Sequence, residues 1–194
     1  SGLSSSAAFE TLICNIFNHY ANGDKIDKIT IAKASQYAEN VYFGKPSGLM
    51  DQMASSVGGM ITIDFADADK PLIEKVEFDF KALNCALCIV DTGGNHADLT
   101  NEYAAIPEEM KAVARIFGKE NLRGVSMEEV LKNSAEIREK LGDRALLRTF
   151  HFLSENERVG DIVDALKAKD YGKFCNYLVN HYLLDVEFQQ DVRD

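Results

Sequence analysis

Apolar residues recur at helical spacing along the first third of the chain and predict three helices. The first begins at Ser4 and ends at the ANGD sequence of residues 21–24, and its apolar stripe predicts that it is buried. Thr30 is placed as the cap of the second helix, which ends in a segment rich in glycine and proline at 44–48. A third, shorter helix is predicted over 49–57. The stripe of the first helix consists of Ala8, Leu12, Ile16 and Tyr20, flanked by Phe9, Ile13 and Phe17.

The pattern then changes to short runs that are typical of β-strands. Two such runs lie at 60–65 and 75–80, and the nearly continuous apolar run at 85–92 predicts a central strand that is buried on both faces. Helical spacing returns in four segments, 98–117, 126–132, 143–169 and 171–190. Strands followed by helices predict an α+β fold in two parts, 1–95 and 96–194.

The composition narrows the class of partner. With 194 residues, 46% hydrophobic and 27% charged, the chain is typical of soluble globular proteins. Its 21 Lys and Arg against 31 Asp and Glu give a net charge of −10, which repels nucleic acid and anionic membrane surfaces. The sequence contains no apolar stretch long enough to span a membrane and no leader pattern, so we expect a cytoplasmic protein.

The cysteines do not predict a disulfide scaffold or a metal centre. Four in a chain of this length are too few and too scattered for a disulfide framework, so we expect reduced, buried thiols. The C-x-x-C pair lies in an apolar run, and no second pair completes a zinc set. The four are Cys14, Cys85, Cys88 and Cys175.

The sequence GLSSSAA at 2–8 is a candidate phosphate-binding segment. It places a glycine, three hydroxyls and two alanines at the start of a strongly patterned helix, where free N–H groups and small side chains suit a phosphate. The hydroxyls can also donate to phosphate oxygens or join a Mg²⁺ shell. The alternative is that Ser4 or Ser5 simply caps the helix. The P-loop pattern G-x-x-x-x-G-K-[ST] does not occur.

Two carboxylates are candidates for chemistry. Asp51 follows a glycine turn in the sequence SGLMDQ and lies in the first turn of a predicted helix, which favours the ionised form that a base requires. The alternative is an acidic residue that complements the helix dipole. Glu39, on the second helix, could complete a Mg²⁺ site with a serine of the GLSSSAA segment, or could be solvated.

Taken together, four ordered motifs resemble those of the galactokinase branch of the GHMP small-molecule kinases. The resemblance covers most of the chain. The motifs are GLSSSAA, AENVYFGKPSGLMDQ at 38–52, IVDTGGNHADLTNEY at 89–103 and RTFHFLSENERVGDIVDALKAKDYGKF at 148–174.

The resemblance implies a fold and an activity. It implies a partial GHMP kinase fold: part of an ATP-binding, ribosomal-protein-S5-like first domain that lacks its N-terminal strands, followed by the helical first part of a ferredoxin-like second domain. The implied activity transfers the γ-phosphoryl of ATP to the anomeric hydroxyl of galactose with Mg²⁺, so the expected partner is a small sugar.

The resemblance also implies roles for individual residues. Glu39 matches one Mg²⁺ ligand, and Ser6, or Ser5 by comparison with mevalonate kinases, matches the other. Asp51 matches the catalytic base, and Tyr103 and Gly48 match positions at the sugar. The phosphate loop falls on Ser1, Gly2, Leu3, Ser4, Ser5 and Ser6.

Some positions depart from the family pattern and leave the sugar open. Leu49 and Ser47 replace the usual Ile and Cys, and 101–107 lack two basic residues, so another hexose, a uronic acid or an amino sugar remains an alternative substrate. The family's N-terminal sugar-binding segment and C-terminal glycine-rich loop are expected outside this sequence, so we expect residues 1–194 alone to have little turnover. A truncated product or a sugar- and ATP-binding sensor without catalysis is the alternative function. The sequence leaves the oligomeric state open.

Overall fold

The computed structural model describes residues 4–67, 69–79, 86, 88–89 and 100–189. Over these residues the protein is mostly helical with one two-stranded sheet, in agreement with a partial α+β fold. In chain order the elements are α1 (Ser5–Asn22), α2 (Lys28–Tyr37), a π-helix (Ala38–Tyr42), α3 (Met50–Val57), β1 (Ile61–Asp64), β2 (Leu72–Lys75), α4 (Thr100–Ile116), α5 (Met127–Lys132), α6 (Ser134–Lys167) and α7 (Tyr171–Gln189).

The chain divides into two compact units, Ser1–Val76 and Glu77–Asp194. The boundary predicted between residues 95 and 96 falls outside the described residues and stays a prediction. In the first unit, α1, α2 and α3 pack against one another around a small core, with the β1–β2 hairpin following α3. That core includes Ala7, Ile31, Ala32 and Met53.

The first helix is where predicted, but its burial prediction is wrong. Asn18 and Gly23 close α1 at its C-terminus, where Gly23 adopts the left-handed conformation that glycine tolerates. The apolar stripe, however, is exposed: Phe9 is 64% and Tyr20 84% accessible. The helical period predicts which residues share a face, but it does not predict whether another element packs against that face. No described residue covers this face.

The cap of the second helix lies three residues before the predicted one. The Asp27 carboxylate accepts hydrogen bonds from the backbone N–H groups of Ile29, at 2.9 Å, and Thr30, at 3.0 Å, so Asp27 is the cap and Thr30 lies in the first turn. The Thr30 hydroxyl also donates to Asp27, and these bonds lower the pKa of the Asp27 carboxyl. The predicted cap failed because a carboxylate three residues earlier satisfies the same free N–H groups.

The hairpin confirms one predicted strand and displaces another. The strand predicted at 60–65 is β1, and it pairs antiparallel with β2 in the register Ile61 to Lys75 and Asp64 to Leu72. The second strand therefore precedes most of the predicted run at 75–80, because the register places Lys75 opposite Ile61, the first residue of β1. The run at 85–92 lies mostly outside the described residues. Its Ile89 is described and exposed, unlike a residue of a buried central strand.

The second unit contains the four helices that the sequence predicts. Helix α6 packs against α4, α5 and α7. It is interrupted at Gly142, where φ is 84°, so the segment predicted from 143 corresponds to the part of α6 after this break. The core of this unit is formed by Val113, Ala114, Leu122, Val125, Val130, Ile137, Ala145, Leu146 and Leu153.

Two expectations from composition can be compared with the described residues. Cys14, Cys88 and Cys175 are free thiols, but Cys88 is exposed and the other two are half-buried, so the expectation of buried thiols is wrong for Cys88. Cys85 lies outside the described residues. None of the helices in the described part of the chain has the length and apolar character needed to cross a membrane.

Candidate active site

A buried carboxylate is the centre of the candidate site. Glu39 lies on the π-helix and is only 3% exposed. Its Oε1 accepts hydrogen bonds from Ser6 Oγ at 2.8 Å and from Lys45 Nζ at 2.7 Å. Its Oε2 accepts one from Gln52 Nε2 at 2.7 Å. We refer to Ser6, Glu39, Lys45 and Gln52 as the Glu39 cluster.

Three elements bring the cluster together. Ser6 is in the first turn of α1, Glu39 is in the π-helix that extends α2, and Gln52 is in the first turn of α3. An isolated π-helical turn is uncommon and is found disproportionately at functional sites. Here it places Glu39 between the N-terminal turns of the two other helices.

The loop between the π-helix and α3 is tied back onto the π-helix. Asn40 Oδ1 accepts from Ser47 N at 2.8 Å and from Ser47 Oγ at 3.0 Å, and Asn40 Nδ2 donates to the Ser47 carbonyl at 3.2 Å. The backbone N–H of Lys45 donates to the Glu39 carbonyl at 3.2 Å. These bonds hold Lys45 next to the carboxylate.

The cluster keeps Glu39 charged despite its burial. Burial alone would raise its pKa, but the hydrogen bonds from Lys45 and Ser6, together with the positive charge of Lys45, outweigh burial, and the pKa of Glu39 is lowered. Glu10, one helical turn after Ser6, has a raised pKa because of burial and then because of the negative charge of Glu39; Lys45 opposes this rise. The positive charge of Lys45 therefore favours the ionised form of both carboxylates.

The residues present suit Mg²⁺ together with a phosphate ligand. Neighbouring ligands in an octahedral Mg²⁺ shell lie roughly 2.9 Å apart, because each is about 2.0–2.1 Å from the ion. The Ser6 hydroxyl oxygen and Glu39 Oε1 are 2.8 Å apart. Within the described residues, no three His, Cys, Asp or Glu side chains form a group that could hold a metal ion alone. Mg²⁺ commonly binds through one or two protein oxygens plus phosphates and water, so this pair fits it.

The predicted base lies beside the cluster in sequence. Asp51 is in the first turn of α3 and is half-buried, whereas the next residue, Gln52, is 1% exposed and contacts Glu39. Successive helix residues do not share a face, so Asp51 is directed away from the contact that Gln52 makes. Gly48 is exposed just before this helix, and a Cβ there would meet no described atom within 4 Å.

The start of α1 has an unusual backbone. Ser4 occupies the cap position with φ 50° and ψ 37°, in the left-handed region that residues other than glycine rarely adopt. Its side chain makes no capping hydrogen bond within the described residues. The alternative interpretation, that Ser4 caps the helix through its hydroxyl, is therefore wrong for this structure. Ser5 begins the helix, and Ser1, Gly2 and Leu3 lie outside the described residues.

The remaining predicted residue belongs to the second unit. Tyr103 lies in α4, and its side chain is outside the described part of the chain. Of the predicted set, the structure joins Ser6 and Glu39 directly and places Asp51 next to their contact Gln52.

Three residues near the carboxylate were not singled out from the sequence. Glu10 could have been, because it lies four residues after Ser6 and so on the same helix face. Gln52 stands within the MDQ triplet that drew attention to Asp51. Lys45 carries no such mark, since its contact with Glu39 depends on the path of a loop.

Comparison with known proteins agrees with this geometry. Residues 1–59, which contain the whole Glu39 cluster, match the family described as GHMP kinases N terminal domain. Residues 1–59 are thereby identified with the N-terminal domain of GHMP kinases. The chain is 34% identical over 179 residues to the galactokinase of Glaesserella parasuis serovar 5, covering 89% of this chain and 44% of that protein.

Other galactokinases give similar matches. The protein from Mycobacterium tuberculosis H37Rv is 34% identical over 174 residues, covering 88% of this chain and 46% of the relative. The protein from Actinobacillus pleuropneumoniae is 34% identical over 174 residues, covering 89% and 44%. The chain thus spans about half the length of the curated relatives that it matches.

Proposed function

We propose that this GHMP kinase chain carries the nucleotide-, magnesium- and base-bearing part of an ATP-dependent sugar 1-kinase of galactokinase type. The observation that carries the proposal is the buried, ionised Glu39 carboxylate in direct contact with the Ser6 hydroxyl. A charged group with so little solvent exposure suits a site that receives a cation. The similarity to galactokinases supports ATP as phosphoryl donor and a sugar as acceptor.

The start of α1 would bind the phosphates of the nucleotide. The first turn of a helix presents free N–H groups and a partial positive charge, and residues 1–6 would hold the phosphate chain there. Ser4 supports this assignment because its hydroxyl is not engaged in capping within the described residues. Ser6 and Glu39 would hold Mg²⁺, which neutralises phosphate charge when bound.

Asp51 would act on the sugar. As the anomeric oxygen attacks the γ-phosphorus, the new O–P bond forms, the bond to the ADP oxygen breaks, and the hydroxyl proton passes to the Asp51 carboxylate. Asp51 lies in the first turn of α3. Gly48 and Tyr103 would contact the sugar. Galactose is the first substrate to test, with another hexose, a uronic acid or an amino sugar as the alternatives.

The domain assignment is part of the same proposal. Residues 1–95 would belong to the ribosomal-protein-S5-like ATP-binding domain, in keeping with the family match over 1–59. Residues 96–194 would form the helical first part of the ferredoxin-like second domain.

The test is sugar-dependent ATP consumption by the protein made from its natural reading frame, with its intact mass measured first. Asp51→Asn should lower kcat by about 10²-fold or more, because a positioned base contributes on that order. ATP binding should be retained. Asp69→Asn is the control, because this substitution removes the same charge at a side chain that is 97% exposed.

Two results would contradict the proposal in different ways. Unchanged turnover in Asp51→Asn would remove the base from the mechanism. ATP and sugar binding without any turnover in the natural protein would indicate the sensor function instead.

A further inference from the structure

The oxygen of Glu39 that faces Ser6 already has a cation beside it. A carboxylate oxygen has two lone pairs, and Oε1 uses them to accept from Ser6 Oγ at 2.8 Å and Lys45 Nζ at 2.7 Å. A metal ion that takes Oε1 as a ligand must replace one of these two donors. Oε1 therefore has both lone pairs occupied without a metal.

The two donors differ in how readily they can leave. Ser6 is fixed by the first turn of α1, and its hydroxyl can rotate to present a lone pair to a cation. The Lys45 side chain is 60% exposed and carries its ammonium on a flexible stem. The ammonium can therefore move into water without breaking a packed core. Lys45 is the donor that a cation would replace.

Charge balance gives the same answer from a second direction. Burial and the charge of Glu39 raise the pKa of Glu10, and Lys45 counters them, so the ammonium compensates both carboxylates. A divalent cation at Glu39 would take over that compensation and would repel the ammonium. One site thus has room for either positive charge beside Oε1.

We propose that the Lys45 ammonium occupies the place of a divalent cation beside Glu39, and that the cation binds there by displacing it. This inference rests on the proposed function, because it takes Glu39 as the metal ligand. Its consequence is that Lys45 weakens cation binding in the absence of nucleotide, so that the cation is held firmly only when phosphates complete its shell.

The test is a titration of the 194-residue chain with Mn²⁺ alone, followed by the paramagnetic broadening of backbone amide signals near Glu39. Lys45→Met should bind Mn²⁺ roughly fivefold more tightly than the unmodified chain, the size expected for removing an exposed competing ion pair. Lys33→Met is the matched control, since it removes a lysine paired with Asp69 in the same unit. Its affinity should be unchanged.

Two further variants keep the outcome decisive. Lys45→Gln removes the charge but keeps a donor for Oε1, so it should also bind more tightly and serves where Lys45→Met weakens the fold. Lys45→Arg keeps the charge and should leave the affinity low. Equal or weaker binding by both neutral variants, or equally tight binding by Lys45→Arg, would overturn the inference.

Glu39→Gln separates this inference from the proposed function. If broadening around residue 39 disappears in Glu39→Gln but the Lys45 variants bind like the unmodified chain, the metal site stands and the displacement fails. If Glu39→Gln leaves the broadening unchanged, Glu39 is not the ligand, and both displacement and the assigned metal site fail.

Discussion

Each unit holds a carboxylate with several donors, but the two differ in what surrounds them. Glu109 in the second unit accepts hydrogen bonds from Arg144 and from Arg148, whose side chain is 8% exposed. Glu39 in the first unit is more deeply buried, yet among the described residues its one charged donor is an exposed lysine. The Glu109 contact is fixed by two planar guanidinium groups, whereas the Glu39 contact can exchange its cation.

This difference separates a structural carboxylate from a candidate ligand site. Arginine binds a carboxylate in a preorganised geometry, and removal of one partner leaves a charge that the buried surroundings cannot solvate. A lysine on a flexible stem forms a weaker and more replaceable contact. Burial of a carboxylate is thus a poor guide to its role unless the mobility of its partners is also considered.

The largest expected effect comes from the Glu109 contact. Glu109→Ala leaves the buried Arg148 guanidinium without this partner, and we expect it to lower the free energy of unfolding by roughly 2–4 kcal/mol. Urea denaturation measures this change. Glu108→Ala is the control, because the neighbouring Glu108 forms an exposed pair with Lys111 worth less than about 1 kcal/mol. Equal losses in the two variants would remove the structural role assigned to Glu109.

The serines at two helix starts differ in the same way. Ser126 accepts a hydrogen bond from the backbone N–H of Glu129, whose side chain accepts one from the N–H of Ser126, so both groups are used by the fold. Ser4 stands at the corresponding position of α1 but makes no capping bond within the described residues. The Ser126 hydroxyl stabilises its helix, whereas the Ser4 hydroxyl makes no such bond within the described residues.

Alanine substitutions at these two serines test the difference through the free energy of unfolding. Ser126→Ala should lower the free energy of unfolding by about 1 kcal/mol, because the capping bond to the helix is lost. Ser4→Ala should change it by less than about 0.5 kcal/mol. Urea denaturation of both variants gives the values. A loss in Ser4→Ala as large as that in Ser126→Ala would mean that the Ser4 hydroxyl stabilises the folded chain after all.

Local patterns predicted much of the fold, and contacts between distant residues were harder to predict. The helices α4 to α7 follow from periodicity, because each buries a stripe on a neighbouring helix. The displaced strand β2 and the exposed stripe of α1 depend on register and on what covers a face, which a stripe alone does not specify. At the site, the motifs predicted Ser6 and Glu39, whereas Lys45 reaches Glu39 through the hydrogen bonds that tie its loop to the π-helix.

The two carboxylates around Lys45 should respond to pH with opposite signs. The pKa of Glu39 is lowered in the fold, so its contribution to stability is present above its unfolded pKa of about 4.3 and is lost as the pH falls through the folded value. The pKa of Glu10 is raised, so the folded chain holds this proton more tightly than the unfolded chain does. Ionised Glu10 therefore destabilises the fold at neutral pH.

This opposition makes the net pH effect of the pair the smallest one expected, since the two contributions partly cancel. The single variants separate them: at pH 7, Glu39→Gln should be less stable than the unmodified chain, and Glu10→Gln more stable. Both differences should shrink as the pH is lowered toward 4, where the two carboxyl groups take up protons. Urea unfolding at pH 7, 5.5 and 4 measures this, and changes of the same sign at pH 7 would show that the two carboxylates do not act on stability with opposite signs.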